Sequence, residues 1–164
     1  MNFLKSKWMV ITLIIISVLF LLILTGRKSV KAIIKIKAPQ EEVWSKLIDI
    51  NEVKTWNRVL VPIQGEFKVG NTIKYEFYQD ENGKAAVMNA TVKKIIPQKI
   101  INQKGGFPGF LTYNHHYLLS SDGTFTTVTI TEEYAGIYVH FWNPILVEKA
   151  YERLLTLLKK RIEE

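Results

Sequence analysis

The chain has 164 residues, a net charge of +7 and no cysteine. That length leaves room for one modest domain beside a targeting segment, and the missing thiol excludes disulfides, thiolate metal sites and cysteine nucleophiles. Residues 1–29 carry Lys5, Lys7, Arg27 and Lys28 and no acid, so the remainder is only mildly basic and has no basic stripe or aromatic-basic module of a nucleic-acid binder.

From Trp8 to Leu24 only Thr12 and Ser17 are polar. As a helix that run spans roughly 25 Å, close to the thickness of a hydrocarbon core. Trp8 stands at one end, and Lys or Arg flanks both, as residues of the membrane interface do. A cleaved signal peptide needs small residues after its apolar run, and Leu24-Thr25-Gly26-Arg27-Lys28 offers no such site. A lipoprotein signal needs a cysteine, and a domain this small has no interior for so long an aliphatic helix. The expectation is therefore an uncleaved single-pass membrane anchor over residues 8–24, within a segment 1–29 that carries the basic flanks. A domain over 30–164 follows it. The two flanks are nearly equal in charge, so charge leaves the orientation open.

Residues 30–38 alternate, with Ala32, Ile34, Ile36 and Ala38 on one face and Lys31, Lys35 and Lys37 on the other, which predicts a strand with one wet face. Pro39 ends it and suits a first helical turn. Val43, Trp44, Leu47 and Ile48 then share a helical stripe, and a short second helix is expected over Asn51–Trp56. Strands are expected over Val59–Phe67, Thr72–Tyr78, Ala86–Ile96, Lys99–Lys104, Phe110–Leu119 and Phe125–Tyr134. The turns between them are marked by Val69-Gly70-Asn71, Asp80-Glu81-Asn82-Gly83, the Gly105–Gly109 segment and Ser121-Asp122-Gly123. Asn143-Pro144 opens a final helix. Its stripe is Val147, Tyr151, Leu154, Leu158 and Ile162, widened by Leu146, Ala150 and Leu157. The fold class is α+β: an antiparallel sheet with one long helix lying across its concave face, and a space between them.

The segment Ile34-Lys35-Ile36-Lys37-Ala38-Pro39-Gln40-Glu41-Glu42-Val43-Trp44, followed by Leu47, Ile48, Asp49 and Trp56-Asn57, resembles the superfamily of START lipid-transfer domains, polyketide cyclases and the birch pollen allergen, known as SRPBCC. Gly70 and Leu157-Leu158-Lys159 in the last helix fit the same pattern, whereas Arg58 stands where the family commonly has proline. The resemblance covers roughly residues 30–162 and implies a helix-grip fold that holds a hydrophobic ligand. It implies no shared catalytic set and no cofactor.

His115 and His116 are adjacent on a strand and must face opposite ways, so they cannot chelate one metal together; no metal site is expected. Val128 and Ile130 mark the inward face of their strand, which points Glu132 inward too. A carboxylate in an apolar cavity is a candidate general acid or base, and His115 is a separate catalytic candidate whose plainer reading is a satisfied core or surface histidine. The plainer reading of Glu132 is a strand-end charge at the cavity mouth. The candidate cavity wall is Trp56, Tyr75, Phe77, Met88, Tyr113, Trp142, Tyr151 and Leu154, and Phe107 and Phe110 flank a Gly-rich turn able to gate a pocket or enter lipid.

Together these readings predict a membrane-anchored domain binding a lipid or other small hydrophobic ligand. The alternatives are a cyclase- or dehydratase-like cavity enzyme and an interaction module with a collapsed cavity. The partners expected are the bilayer and the small ligand, with no nucleic acid; oligomeric state is left open. The apolar run generates the first prediction. The full chain should stay in the membrane pellet through high-salt and alkaline washes, and its appearance in the wash would contradict an integral anchor.

Overall fold

The computed structural model describes residues 2–164. Helix α1, Asn2–Thr25, is followed without a linker by strand β1, Arg27–Ile36. Helices α2, Gln40–Ile48, and α3, Ile50–Trp56, precede β2 (Leu60–Gln64), β3 (Thr72–Phe77), β4 (Ala86–Ile96), β5 (Ile100–Phe107), β6 (Leu111–Ser121) and β7 (Thr126–Ala135). A 3-10 turn, Ile137–Phe141, leads to the last helix α4, Ile145–Glu163. Every strand pair is antiparallel, in the order β1-β7-β6-β5-β4-β3-β2, so the first strand closes one edge beside the last. Helix α4 lies against the inner face and β1, which is the helix-grip arrangement.

The local chemistry of the element ends is clear. Asp49 accepts hydrogen bonds from the backbone N–H groups of Asn51 and Glu52 and so caps α3. At its other end the buried Asn57 amide accepts from Val59 and Leu60 and donates to the Leu60 carbonyl, which locks the corner into β2. Arg58, the departure from the family pattern, donates to the carbonyls of Lys54, Thr55 and Asn57. Its guanidinium thus satisfies the exposed end of α3.

Several boundaries differ from the sequence reading. Strand β1 begins at Arg27, because Arg27–Ser29 pair with Ala135–Glu133. A fragment meant to carry the whole sheet must therefore start there. The strand expected over Val59–Phe67 stops at Gln64, where Gly65 turns the chain with φ at +105°. Gly105 and Gly106 belong to β5 rather than to the turn, which is displaced to residues 108–110.

On α4, Val147, Ala150, Tyr151, Leu154, Leu155 and Leu158 are buried, whereas Leu146 is 48% exposed. At about 100° per residue Leu146 falls well off the stripe's centre, and Leu155 falls nearer to it. Leu154 is fully buried against the sheet. Leu154→Asp places a carboxylate there and should cost several kcal/mol unless it protonates. A thermal melt should show the variant largely unfolded, and an unchanged melting temperature would contradict the packing described.

Candidate functional site

The register of β6 on β7 sets His115 directly opposite Glu132, and the alternation that buries Val128 and Ile130 carries both inward. Glu132 is 1% exposed, so it is not a strand-end charge at a mouth but a carboxylate in the core. His115 Nδ1 lies 2.7 Å from Glu132 Oε2. Tyr151 reaches down from α4 and donates its hydroxyl to the same oxygen, and the Tyr134 hydroxyl engages both Glu132 and Tyr151. One step along the sheet, Gln103 and Tyr75 hydrogen-bond each other, with Gln103 Nε2 donating to the Tyr75 hydroxyl at 2.8 Å. The imidazole is held edge-on between the rings of Tyr117 and Tyr151 at 4.8 and 5.2 Å.

His115 Nε2 is the one buried side-chain polar atom among the described residues without a hydrogen-bond partner. With the ring neutral, the Nδ1 proton goes to Glu132 and Nε2 keeps a bare lone pair. His115 also lines a cavity of about 10 Å³, together with Tyr75, Met88, Ala90, Tyr113, Glu132 and Tyr151, among others. That is about the space of one water. The space between sheet and helix is thus filled by side chains rather than open.

A roomier opening lies next to it. The β4–β5 ladder runs from Ile96 opposite Ile100 to Ala90 opposite Gly105 and stops. Strand β4 continues to Ala86 along β3, and β5 continues to Phe107 along β6. The sheet therefore forks, and the fork holds a groove of about 490 Å³ walled by Val87, Met88, Phe107, Phe110, Leu111 and Tyr113, among others. The Tyr113 hydroxyl crosses the fork and donates to the Asn89 carbonyl at 2.6 Å. Gly105 makes this possible, since a Cβ there would lie 2.2 Å from the Tyr113 hydroxyl. Met88 and Tyr113 wall both the groove and the inner cavity.

Of the candidate wall residues, Tyr75, Met88, Tyr113 and Tyr151 surround the inner cavity. Trp56 lines a separate void of about 10 Å³ with Tyr75 and Tyr117. Phe77 packs against Tyr151, with ring centroids 6.1 Å apart, and Leu154 is wholly buried. Trp142 stacks edge-on against Tyr134 at 4.8 Å. His116 faces away from His115, and its imidazolium is disfavoured first by burial and then by His115. Gln103 and Tyr134 were missed by the sequence reading. Tyr134 is two residues from Glu132 and so legible by alternation, whereas Gln103 reaches the site through its pairing with His115.

Burial pushes the hydroxyls of Tyr75, Tyr117, Tyr134 and Tyr151 well above the usual tyrosine value of 10, and for Tyr117, Tyr134 and Tyr151 the charge of Glu132 adds to it. Their folded-state values exceed the unfolded one. The stability they lend is thus complete below pH 10 and is lost as pH rises towards the folded values. The melting temperature should fall above pH 10, and tyrosinate absorbance from these rings should appear only with unfolding. Full tyrosinate absorbance in a still-folded domain would contradict the cluster.

Among solved structures, the fold is similar to ginseng major latex-like protein 151 from Panax ginseng, with a TM-score of 0.68 and 13% identity over 85% of this chain and 99% of that one. It is also similar to a protein of Chromobacterium violaceum, with a TM-score of 0.67 and 17% identity over 83% and 97% of the two chains. A third is CalU16 from Micromonospora echinospora, with a TM-score of 0.61 and 19% identity over 84% and 82%. No curated protein sequence matches the chain. The family profile described as Activator of Hsp90 ATPase homolog 1-like protein matches residues 37–160, and with that match and the helix-grip sheet the chain belongs to this family of the SRPBCC superfamily.

Proposed function

We propose that this chain is a membrane-anchored binding domain, single-pass through α1, for a small, largely apolar molecule with a polar end. The observation that carries the reading is the shared wall. Met88 and Tyr113 separate an apolar groove of about 490 Å³ from the buried His115–Glu132 pair. The filled interior takes no ligand as it stands, so binding requires this wall to move. Met88 has three rotatable bonds and repacks readily. Freeing Tyr113 costs a hydrogen bond, about 1 kcal/mol net. An apolar ligand returns about 25 cal/mol per Å² buried, so some tens of Å² offset the latch. The ligand's polar end then meets His115 Nε2.

The anchor reading is supported by α1, which from Lys7 to Thr25 is long and apolar enough to cross a membrane and is unburied in the fold. A signal sequence passes the same test, and the alkaline wash separates the two.

One observation favours a second reading, a cavity enzyme of the cyclase or dehydratase type. A histidine whose Nδ1 is held by a buried carboxylate and whose Nε2 is bare has the arrangement of a general base.

The test uses the full chain in lipid nanodiscs with a panel of fatty acids, fatty alcohols and monoacylglycerols, read by thermal shift and native mass spectrometry. At least one member should bind and raise the melting temperature by mass action. Tyr113→Phe, which removes the latch, should speed association several-fold. Ala90→Trp, which overfills the inner cavity, should weaken binding and also lower the melting temperature of the apo domain. A bound molecule whose mass changes, and no longer changes in His115→Gln, would favour the enzyme. A panel without any shift would leave the interaction module as the better reading.

A further inference from the structure

We propose that the base of the domain seats in the interfacial layer of the same bilayer that α1 crosses, so that the fork between β4 and β5 opens at lipid level. The inference rests on the anchor reading above.

The joint between α1 and the domain is short and closed by direct contacts. Gly136 N–H donates to the Gly26 carbonyl at 3.0 Å. A Cβ on Gly26 would fall 2.1 Å from the Gly136 oxygen, so the two backbones touch. The His140 Nε2 lies 2.9 Å from the Leu22 carbonyl, which also accepts from the Gly26 N–H, and 3.4 Å from Thr25 Oγ1. The β5–β6 tip comes equally close, since a Cβ on Gly109 would touch Ile23 at 3.7 Å. Ile137 and Tyr138 hydrogen-bond the carbonyls of Gly109 and Phe110, which ties the tip to the 3-10 turn.

Leu22 and Ile23 belong to the apolar span. Segments in contact with them must therefore lie at the membrane boundary when α1 spans. Those segments present apolar side chains to the outside. Phe107 and Phe141 are each 76% exposed and Phe110 53%. Tyr138, its ring 5.4 Å from that of Phe110, extends the patch, and Ile145 and Leu146 at the start of α4 are exposed as well. Such a cluster is costly in water and suits the interface, where aromatic rings gather. Charge agrees with the apolar pattern. Arg27 directly follows the helix joint and shares an outer groove with Lys104, the one acid lining it being Glu133. Two cations beside an apolar patch match a layer of phosphate headgroups over acyl chains. Phe107 and Phe110 also wall the fork, so the patch and the groove are continuous. A single-chain amphiphile in the leaflet would enter without crossing water.

The chain has no cysteine, so single-cysteine labelling is clean. Phe107→Cys, Phe141→Cys and, as the distant control, Thr124→Cys are made in the full chain, labelled with an environment-sensitive fluorophore and reconstituted in phosphatidylcholine vesicles containing headgroup-nitroxide lipid. Thr124 sits on the β6–β7 hairpin beyond the far end of β1, roughly 30 Å along the strand from the joint. The labels at 107 and 141 should be quenched several-fold more than the label at 124. Equal quenching at all three positions, in chain that still floats with the vesicles after an alkaline wash, would overturn this inference and leave the anchor intact. Chain that fails to float marks failure of the anchor instead. Labels at 107 and 141 that are unquenched but become exposed on dilution with excess lipid would show a second copy covering the patch, and would overturn it too.

Discussion

The carboxylate of Glu132 is the group around which the interior is organised. Burying a carboxyl group costs free energy unless its oxygens find hydrogen-bond partners. Those partners come from three elements: His115 on β6, Tyr134 on its own strand β7 and Tyr151 on α4. The α4 hydroxyl thus ties the gripping helix to the centre of the sheet with a direction that apolar packing lacks. Around it, Ala32, Ile36, Ile101, Val128, Ile130 and the α4 stripe form a continuous apolar core. A core of this kind would be as stable with an apolar side chain of Glu132's shape and none of its partners. The buried acid thus stands beside an imidazole whose Nε2 has no hydrogen-bond partner.

The interior and the fork share a wall, Met88 and Tyr113. Packed as described, the sheet–helix space closes to voids of about 10 Å³. The sheet compensates by parting between β4 and β5, which exposes strand edges that a continuous ladder would have paired. An unpaired edge is a liability unless it is covered. Tyr113 covers part of it by reaching Asn89, and Gly105 leaves the room to do so.

The helix joint adds a constraint from outside the core. Backbone contact between Gly26 and Gly136 and the His140 contact with the end of α1 leave no flexible tether. Gly136 holds φ at +129°, a conformation glycine adopts without a steric penalty. The 107–110 tip and the 3-10 turn lie against the end of α1. This geometry makes the exposed aromatics part of the same feature as the apolar helix rather than scattered surface residues.

Much of this was legible in the chain itself. The period-2 runs located every strand, the α4 stripe located its buried face, and the apolar run from Trp8 to Leu24 stood out by length. Glu132 could be assigned inward because alternation on one strand needs no knowledge of its neighbour, whereas for His115 it showed only that His116 faces the other way. The meeting of Glu132 with His115 could not be assigned, since it depends on the β6–β7 register, which pairs residues 17 positions apart in sequence. Gln103, the fork and the Tyr113 latch likewise depend on where pairing between β4 and β5 stops. The sequence pattern also overstated the cavity. It showed which residues face the gap between sheet and helix, but not how far their volumes fill it. By itself the sequence determined the elements and their faces, because those follow from local periodicity. Only the tertiary structure decided register, filling and the position of the domain against its helix, because these arise from contacts between residues far apart along the chain.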